Sequence, residues 1–269
     1  MANPRPQGTC IFCGGFGLSK EHLFSDWLRE LFPRTRDDKH ALARLISWAP
    51  RPTFHQSVKQ GHSGSRKIRK VCGRCNSGWV SLIDGAAKKI AIPLINGAAV
   101  ELTREDCRAL AAWFAKLAMV ADAMDIRTMV VPQADRDWMR QQSLPPIRWE
   151  VWIGFYEGSE WRELAMQHHS GILNFAAIGD PEALSGYVNS ATFGLGNLLA
   201  HVIGSEDFEI DLGTGARIMR RIWPAIDPLT WPLPHSITDD EAGAIARSLR
   251  EAYLSSREAA HQAANQAIT

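Results

Sequence analysis

The chain has 269 residues, 45% of them hydrophobic and 22% charged, with a formal net charge of +1. That composition excludes a disordered chain, and no apolar run is long enough to span a bilayer, which excludes a membrane-embedded helix bundle. The length allows a sizeable core and exceeds that of one ordinary domain, so two domains are expected.

The small net charge conceals a division near residue 90. Residues 1–90 hold 16 Lys/Arg against 6 Asp/Glu, whereas residues 91–269 hold 14 against 23. A basic first third joined to an acidic remainder would direct a polyanionic partner to the N-terminal part, and a solvated charged face is the plainer alternative. The opening residues "MANPRPQGTC" carry no apolar secretory core, so the chain is expected to be cytoplasmic, with its thiols reduced.

In chain order, "EHLFSDWLRELF" places Leu23, Trp27, Leu28 and Leu31 at helical spacing before Pro33, which predicts a short amphipathic helix over residues 21–32. Residues 51–70 carry Gly61, Ser63, Gly64 and Ser65 among basic residues, the composition of a hairpin or flexible loop between strands. After "VCGRCNSGW", Trp79, Leu82 and Ile83 have helical spacing up to Pro93, so Asn76 is expected at or just before a helix N-terminus. Thr103 and Asp106 resemble a capping box, and Leu110, Trp113, Phe114, Leu117, Val120, Ala121 and Met124 form one apolar face, predicting a helix over 103–124. Cys107 inside it reads as a core filler.

Beyond residue 145 the period shifts toward two. "IRWEVWIGFY" puts Trp149, Val151, Ile153 and Phe155 on one side of a strand, with "RELAMQHHSGILNFAAI" and "GYVNSATFGLGNLLAHVIG" as partners. Trp223-Pro224 and Trp231-Pro232 punctuate a loop, and "DDEAGAIARSLREAYLSSREAAHQAA" predicts a terminal helix. His168, His169 and His201 read as packing or surface groups. The expected class is α+β, divided into residues 1–90 and an α+β domain over 91–269 with a role in dimerisation, targeting or regulation, so a homodimer stays open.

Four of the five cysteines fall in two C-x-x-C pairs, Cys10/Cys13 and Cys72/Cys75. Zinc prefers four soft ligands in a tetrahedron, each such turn offers two thiolates, and the pairs would staple the start of the chain to a point some 60 residues on. A redox C-x-x-C is the competing use, but its thioredoxin-like βαβ pattern is missing from the sequence. A four-cysteine shell leaves no open position on zinc, so chemistry must come from its neighbours. Glu21-His22 follows the first pair and Asn76 directly follows Cys75. A carboxylate and a carboxamide suit Mg²⁺ or Mn²⁺, and an imidazole can act as general base, although a solvated Glu-His and an N-capping Asn are the plainer readings.

The order C-x-x-C, acid-His, C-x-x-C-Asn resembles the treble-clef, ββα-metal nucleases of the HNH superfamily in their endonuclease VII-like, zinc-stapled form. The segments "SKEHLFSDWL" and "VCGRCNSGW" are also similar to bacterial and prophage HNH-type proteins with an uncharacterised C-terminal region. The resemblance covers about residues 8–85. It implies His22 as general base, Glu21 and Asn76 as ligands of a catalytic Mg²⁺ or Mn²⁺, and Cys10, Cys13, Cys72 and Cys75 as ligands of a structural zinc. The expected partner is nucleic acid, DNA before RNA, held by Arg66, Lys67, Arg69, Lys70 and Arg74. Two positions differ from the family pattern: Glu21 stands where Asp is found, and no Lys or Arg follows Asn76 until Lys88. The middle residue of the triplet is not distinguished among His55, His62 and Ser63, and Asp26 and Asp84 are further candidate metal ligands. A zinc module that binds nucleic acid without cutting it, or a protein-interaction adaptor, are the alternatives.

Overall fold

The computed structural model describes residues 8–33, 39–46, 53–60, 67–124, 129–174, 185–206, 212, 215–224 and 227–249, and they form a mixed α+β architecture. The first cysteine pair sits in a tight turn in which the Cys10 N–H donates to the Gly15 carbonyl (2.8 Å) and the Gly14 N–H to the Cys10 carbonyl (2.9 Å). Gly14 has φ +65°, a conformation that side-chain-bearing residues resist. The chain then runs antiparallel to the approach to the second pair. Leu18 bridges Cys72, the Ser19 N–H donates to the Val71 carbonyl (2.9 Å), and strand β1 (Glu21–His22) pairs with β4 (Lys67–Ile68).

The helix expected over 21–32 is therefore corrected. Glu21 and His22 lie in a strand, and only α1 (Leu28–Leu31) is helical. Leu23 and Leu28 are buried and Trp27 and Leu31 pack against the core, so the spacing reported burial along a series of turns. Within the segment 51–70 the described residues are mainly strand, and Gly61, Ser63, Gly64 and Ser65, which carried the expected hairpin or loop, lie outside the described residues. Strand β3 (Thr53–Gln60) pairs in continuous antiparallel register with β2 (Lys39–Ile46), from Lys39 opposite Gln60 to Ile46 opposite Thr53.

From the second cysteine pair onward come α2 (Gly73–Cys75), a kink over Asn76–Val80 in which Gly78 leaves helical geometry (φ −96°, ψ −118°), and α3 (Ser81–Ile95). Pro93 does not end α3. A proline removes one donor, but the helix runs two residues further and closes through Gly97 at φ +69°, whose N–H donates to the Leu94 carbonyl. The expected domain division at residue 90 falls inside this helix.

The next elements are β5 (Val100–Leu102), α4 (Arg104–Asp122) and α5 (Gln133–Gln142). The capping box of α4 is formed: Thr103 Oγ1 accepts from the Asp106 N–H (3.2 Å), and Asp106 accepts from the Thr103 N–H (2.9 Å). Where the sequence predicted one apolar face, α4 is buried all round from Leu110 to Asp122. Cys107 is fully buried within it and its thiol is pushed up to about 11, chiefly by burial, as befits an inert filler.

The predicted strands are present as β6 (Glu150–Tyr156), β7 (Ala165–Asn174), β8 (Ser185–Leu195) and β9 (Leu198–Ser205). A short α6 (Gly215–Ile218) precedes β10 (Arg220–Trp223), β11 (Leu229–Trp231) and β12 (Ser236–Ile237), and residues 239–249 are helical (α7). The sheet order is β10-β6-β9-β8-β7, antiparallel throughout, with β12 joining β6 in parallel and β11 pairing with β5. His168, His169 and His201 are buried; His168 Nε2 meets Asn189 Oδ1 and His201 Nδ1 meets Thr192 Oγ1, both at 2.7 Å.

Helix α4 lies between the N-terminal unit and this sheet. Trp113 packs on Trp27 with ring centroids 5.4 Å apart, and Phe114 packs on Phe193 at 5.7 Å. One continuous core therefore runs from Phe12 and Leu28 through Trp113 to Val151 and Trp231. A second cluster of Tyr156, Trp161, Ile237, Ala242 and Ile245 seats α7. The junction also holds a buried polar chain: Lys116 Nζ donates to Asp84 Oδ1 (2.9 Å), Ser25 Oγ donates to the same oxygen, and Trp113 Nε1 donates to Ser25 Oγ (2.8 Å).

Candidate metal centre

The antiparallel run of residues 17–22 against 67–73 brings the two cysteine pairs together across the intervening chain. The sulfurs of Cys10, Cys13, Cys72 and Cys75 all lie within 4.8 Å of one another, with Cys13 Sγ and Cys72 Sγ 3.6 Å apart. A tetrahedral zinc with bonds of about 2.3 Å needs sulfurs about 3.8 Å apart, so the set can close around one ion with little adjustment. Cys10, Cys72 and Cys75 are buried and Cys13 is half-buried. Gly15 makes room for the site, because a Cβ there would meet Cys13 Sγ at 3.2 Å.

The thiols differ in acidity. Burial opposes ionisation of Cys13, but hydrogen bonds from the Gly15 backbone and the neighbouring thiols prevail and bring it down to about 7. Burial, reinforced by the neighbouring cysteines, pushes Cys75 up to about 12 and also raises Cys10. Four all-sulfur donors in a half-dry cluster match the preference of zinc and leave no oxygen donor for a hard ion. These four cysteines could hold a zinc ion. Among the residues whose side chains are described, they are the only group of three or more His, Cys, Asp or Glu placed to do so.

The cluster orders the rest of the candidate site. Glu21 and His22 lie in β1 with Ile68 and Lys67 as their register partners; their side chains fall outside the described part. Asn76 is half-buried at the start of the kinked stretch, and its Nδ2 donates to Ser19 Oγ (3.2 Å). The helix-start expected at Asn76 is corrected: the helical path begins at Gly73, where Cys72 Sγ caps it by accepting from the Cys75 N–H (3.5 Å), and Asn76 follows that first turn without capping a helix N-terminus. Arg69 and Arg74 are exposed and Lys70 is half-buried, while Arg66 and the side chain of Lys67 lie outside the described residues.

Of the further metal candidates, Asp84 is bound to Lys116 and Ser25, and Asp26 pairs with Arg29 at 2.9 Å. His55 lies in β3, and His62 and Ser63 fall outside the described residues. Sequence reasoning missed Ser19, whose hydroxyl both donates to the Val71 carbonyl (3.0 Å) and accepts from Asn76. Its position two residues before an acid-His pair is the one signal that could have marked it.

No helix is long and apolar enough to cross a membrane among the described residues. No protein-family model, curated protein or solved structure matches this chain at a significant level.

Proposed function

We propose that the chain is a metal-dependent endonuclease of the HNH type, cutting phosphodiester bonds of nucleic acid, DNA before RNA, with a structural zinc on Cys10, Cys13, Cys72 and Cys75. The observation that carries this reading is the joining of the two cysteine pairs. It sets the Glu21-His22 strand alongside the approach to the second pair and ties Asn76 to Ser19, two residues from Glu21. The strand that carries Glu21 and His22 and the turn that carries Asn76, more than fifty residues apart in sequence, thereby belong to one unit.

In the proposed reaction the His22 imidazole takes a proton from water, and the resulting hydroxide attacks phosphorus as the bond to the 3′-oxygen breaks, the departing 3′-oxygen taking a proton from solvent water. A Mg²⁺ or Mn²⁺ held through Glu21 and Asn76 would supply charge stabilisation for the phosphate. Arg66, Lys67, Arg69, Lys70 and Arg74 would hold the strand, and residues 91–269 would serve dimerisation, target choice or regulation.

One observation favours a second reading, a zinc module that binds nucleic acid without cutting it. No Lys or Arg follows Asn76 until Lys88, so the cation of the family pattern is missing from this helix. Incubating supercoiled plasmid with the zinc-loaded protein and Mg²⁺ or Mn²⁺ separates the two. The nuclease reading expects nicked or linear product from the wild type and none from His22→Ala at equal zinc content. Equal cleavage by both proteins refutes the assignment of His22, and cleavage by neither, with binding retained, establishes the second reading.

A further inference from the structure

One aromatic side chain near the cysteine cluster has no place in the core. Phe16 is 84% exposed, although Phe12, four residues earlier in the same turn, is fully buried and packs edge-on against Trp79 with centroids 4.8 Å apart. The backbone on either side of Phe16 is fixed. The Gly15 carbonyl accepts from the Cys10 N–H, and the Gly17 carbonyl accepts from the Gly73 N–H at 3.1 Å. The ring is therefore mounted on the part of the chain that the four cysteines hold together, and little backbone freedom remains to be lost when something covers it.

The surface around the ring is open and basic. A Cβ placed on Gly14, Gly17 or Gly73 would meet nothing within 4 Å. The Gly17–Gly73 bond sets Phe16 near Arg74, which is exposed, and the run Arg69-Lys70 reaches the same turn, where the Ile11 N–H donates to the Lys70 carbonyl (2.9 Å). Among the described residues, none of Arg69, Lys70 and Arg74 is in an ion pair. Residues 8–20 and 39–83 contain no Asp or Glu. A rigid exposed ring beside cations that make no ion pair among the described residues is suited to a partner that offers a flat apolar face and negative charge at once, which is the chemistry of a nucleotide strand.

We propose that Phe16 is a stacking platform for an unpaired base of a nucleic-acid strand whose phosphates lie along Arg69, Lys70 and Arg74. Bases inside a duplex present only their edges, so the site takes strands with single-stranded character in preference to continuous duplex. This rests on the nucleic-acid reading above and names the substrate class for it.

The test is fluorescence anisotropy with the full-length, zinc-loaded protein and no added Mg²⁺ or Mn²⁺. The probes are a dT20 strand, a 20-mer of abasic sugar-phosphate and a 20-base-pair duplex at one salt concentration. Stacking energies of this kind correspond to roughly tenfold in affinity per base. Phe16→Ala and Phe16→Leu are expected to weaken dT20 about tenfold, leave the abasic strand and the duplex unchanged, and retain wild-type zinc; Phe16→Tyr restores binding. If Phe16→Ala binds dT20 as the wild type does, or loses dT20 and the abasic strand by the same factor, the platform is refuted while nucleic-acid binding stands. If the wild type binds none of the probes, both readings fall. A wild type that elutes as a dimer beside a monomeric Phe16→Ala overturns the proposal in favour of a self-contact.

Discussion

Lys116 provides a quantitative test of how the N-terminal unit is fastened to the rest. Its side chain is 1% exposed against 19% for its partner Asp84, and the carboxylate keeps a second donor in Ser25. Removing either charge leaves the other unpaired, but the two residual states differ. Asp84→Asn strands an ammonium in a dry site, where breaking a buried pair costs about 3–5 kcal/mol. Lys116→Met leaves a carboxylate that still accepts from Ser25 and reaches water, and the methionine refills the apolar space, so about 1–2 kcal/mol is expected. The double variant removes both charges, and its loss should fall short of the sum of the two by about 2 kcal/mol, the usual scale for contacting pairs. Urea unfolding of the four zinc-loaded proteins, followed by tryptophan fluorescence, measures the cycle. The reasoning is refuted if Lys116→Met costs more than Asp84→Asn, or if the two losses simply add.

Cys72→Ser should abolish stoichiometric zinc by elemental analysis and lower the melting temperature, because binding energy in such sites is folding energy; unchanged zinc and melting would exclude the four-cysteine shell. Asp122 is raised to about 6, first by burial and against the donors Val130 N–H and Val131 N–H. The folded state therefore holds this proton more tightly than the unfolded one. Its stabilising contribution is full below about pH 4 and is lost as pH rises through 6, a change of about 3 kcal/mol for a shift of two units. Asp122→Asn should flatten stability over that window, and an unaltered pH profile would contradict the assignment. Replacing Arg66, Lys67, Arg69 and Lys70 by Gln should weaken DNA binding across sequences and flatten its salt dependence by ~2–3 units in the log–log slope, whereas an unchanged slope would move the binding surface elsewhere.

The parts of the fold that could be read from the sequence are those whose signal is local. The Thr103–Asp106 box and the alternation through Trp149, Val151 and Ile153 depend on neighbours a few residues away, and both are realised. The cysteine cluster was legible because metal-ligand spacing is a local pattern even when the ligands meet over a long separation. The spacing of Leu23, Trp27, Leu28 and Leu31 misled because those residues face a core supplied by α4. Pro93 misled because neighbouring packing holds a helix that propensity alone would end. Lys116 and Asp84, 32 residues apart, carry no mark of their pairing, and Lys116 interrupts an apolar stretch only because Asp84 and Ser25 receive it. Phe16 stands between glycines in "GGFG", and only the fold reveals that nothing within the described residues covers it.

Residues 23–66 leave the cysteine unit at β1 and return to it at β4, and these two strands are neighbours. The path between them is an excursion whose ends are clamped side by side. Lengthening a loop with fixed ends costs only about 0.6 kcal/mol per doubling. Sequence can thus be inserted or trimmed between β2 and β3 without moving Cys13 relative to Cys72. A lineage carrying this unit is free to vary its hairpin in length while the residues around the cluster stay in register, so indels should gather there and spare the two flanking turns.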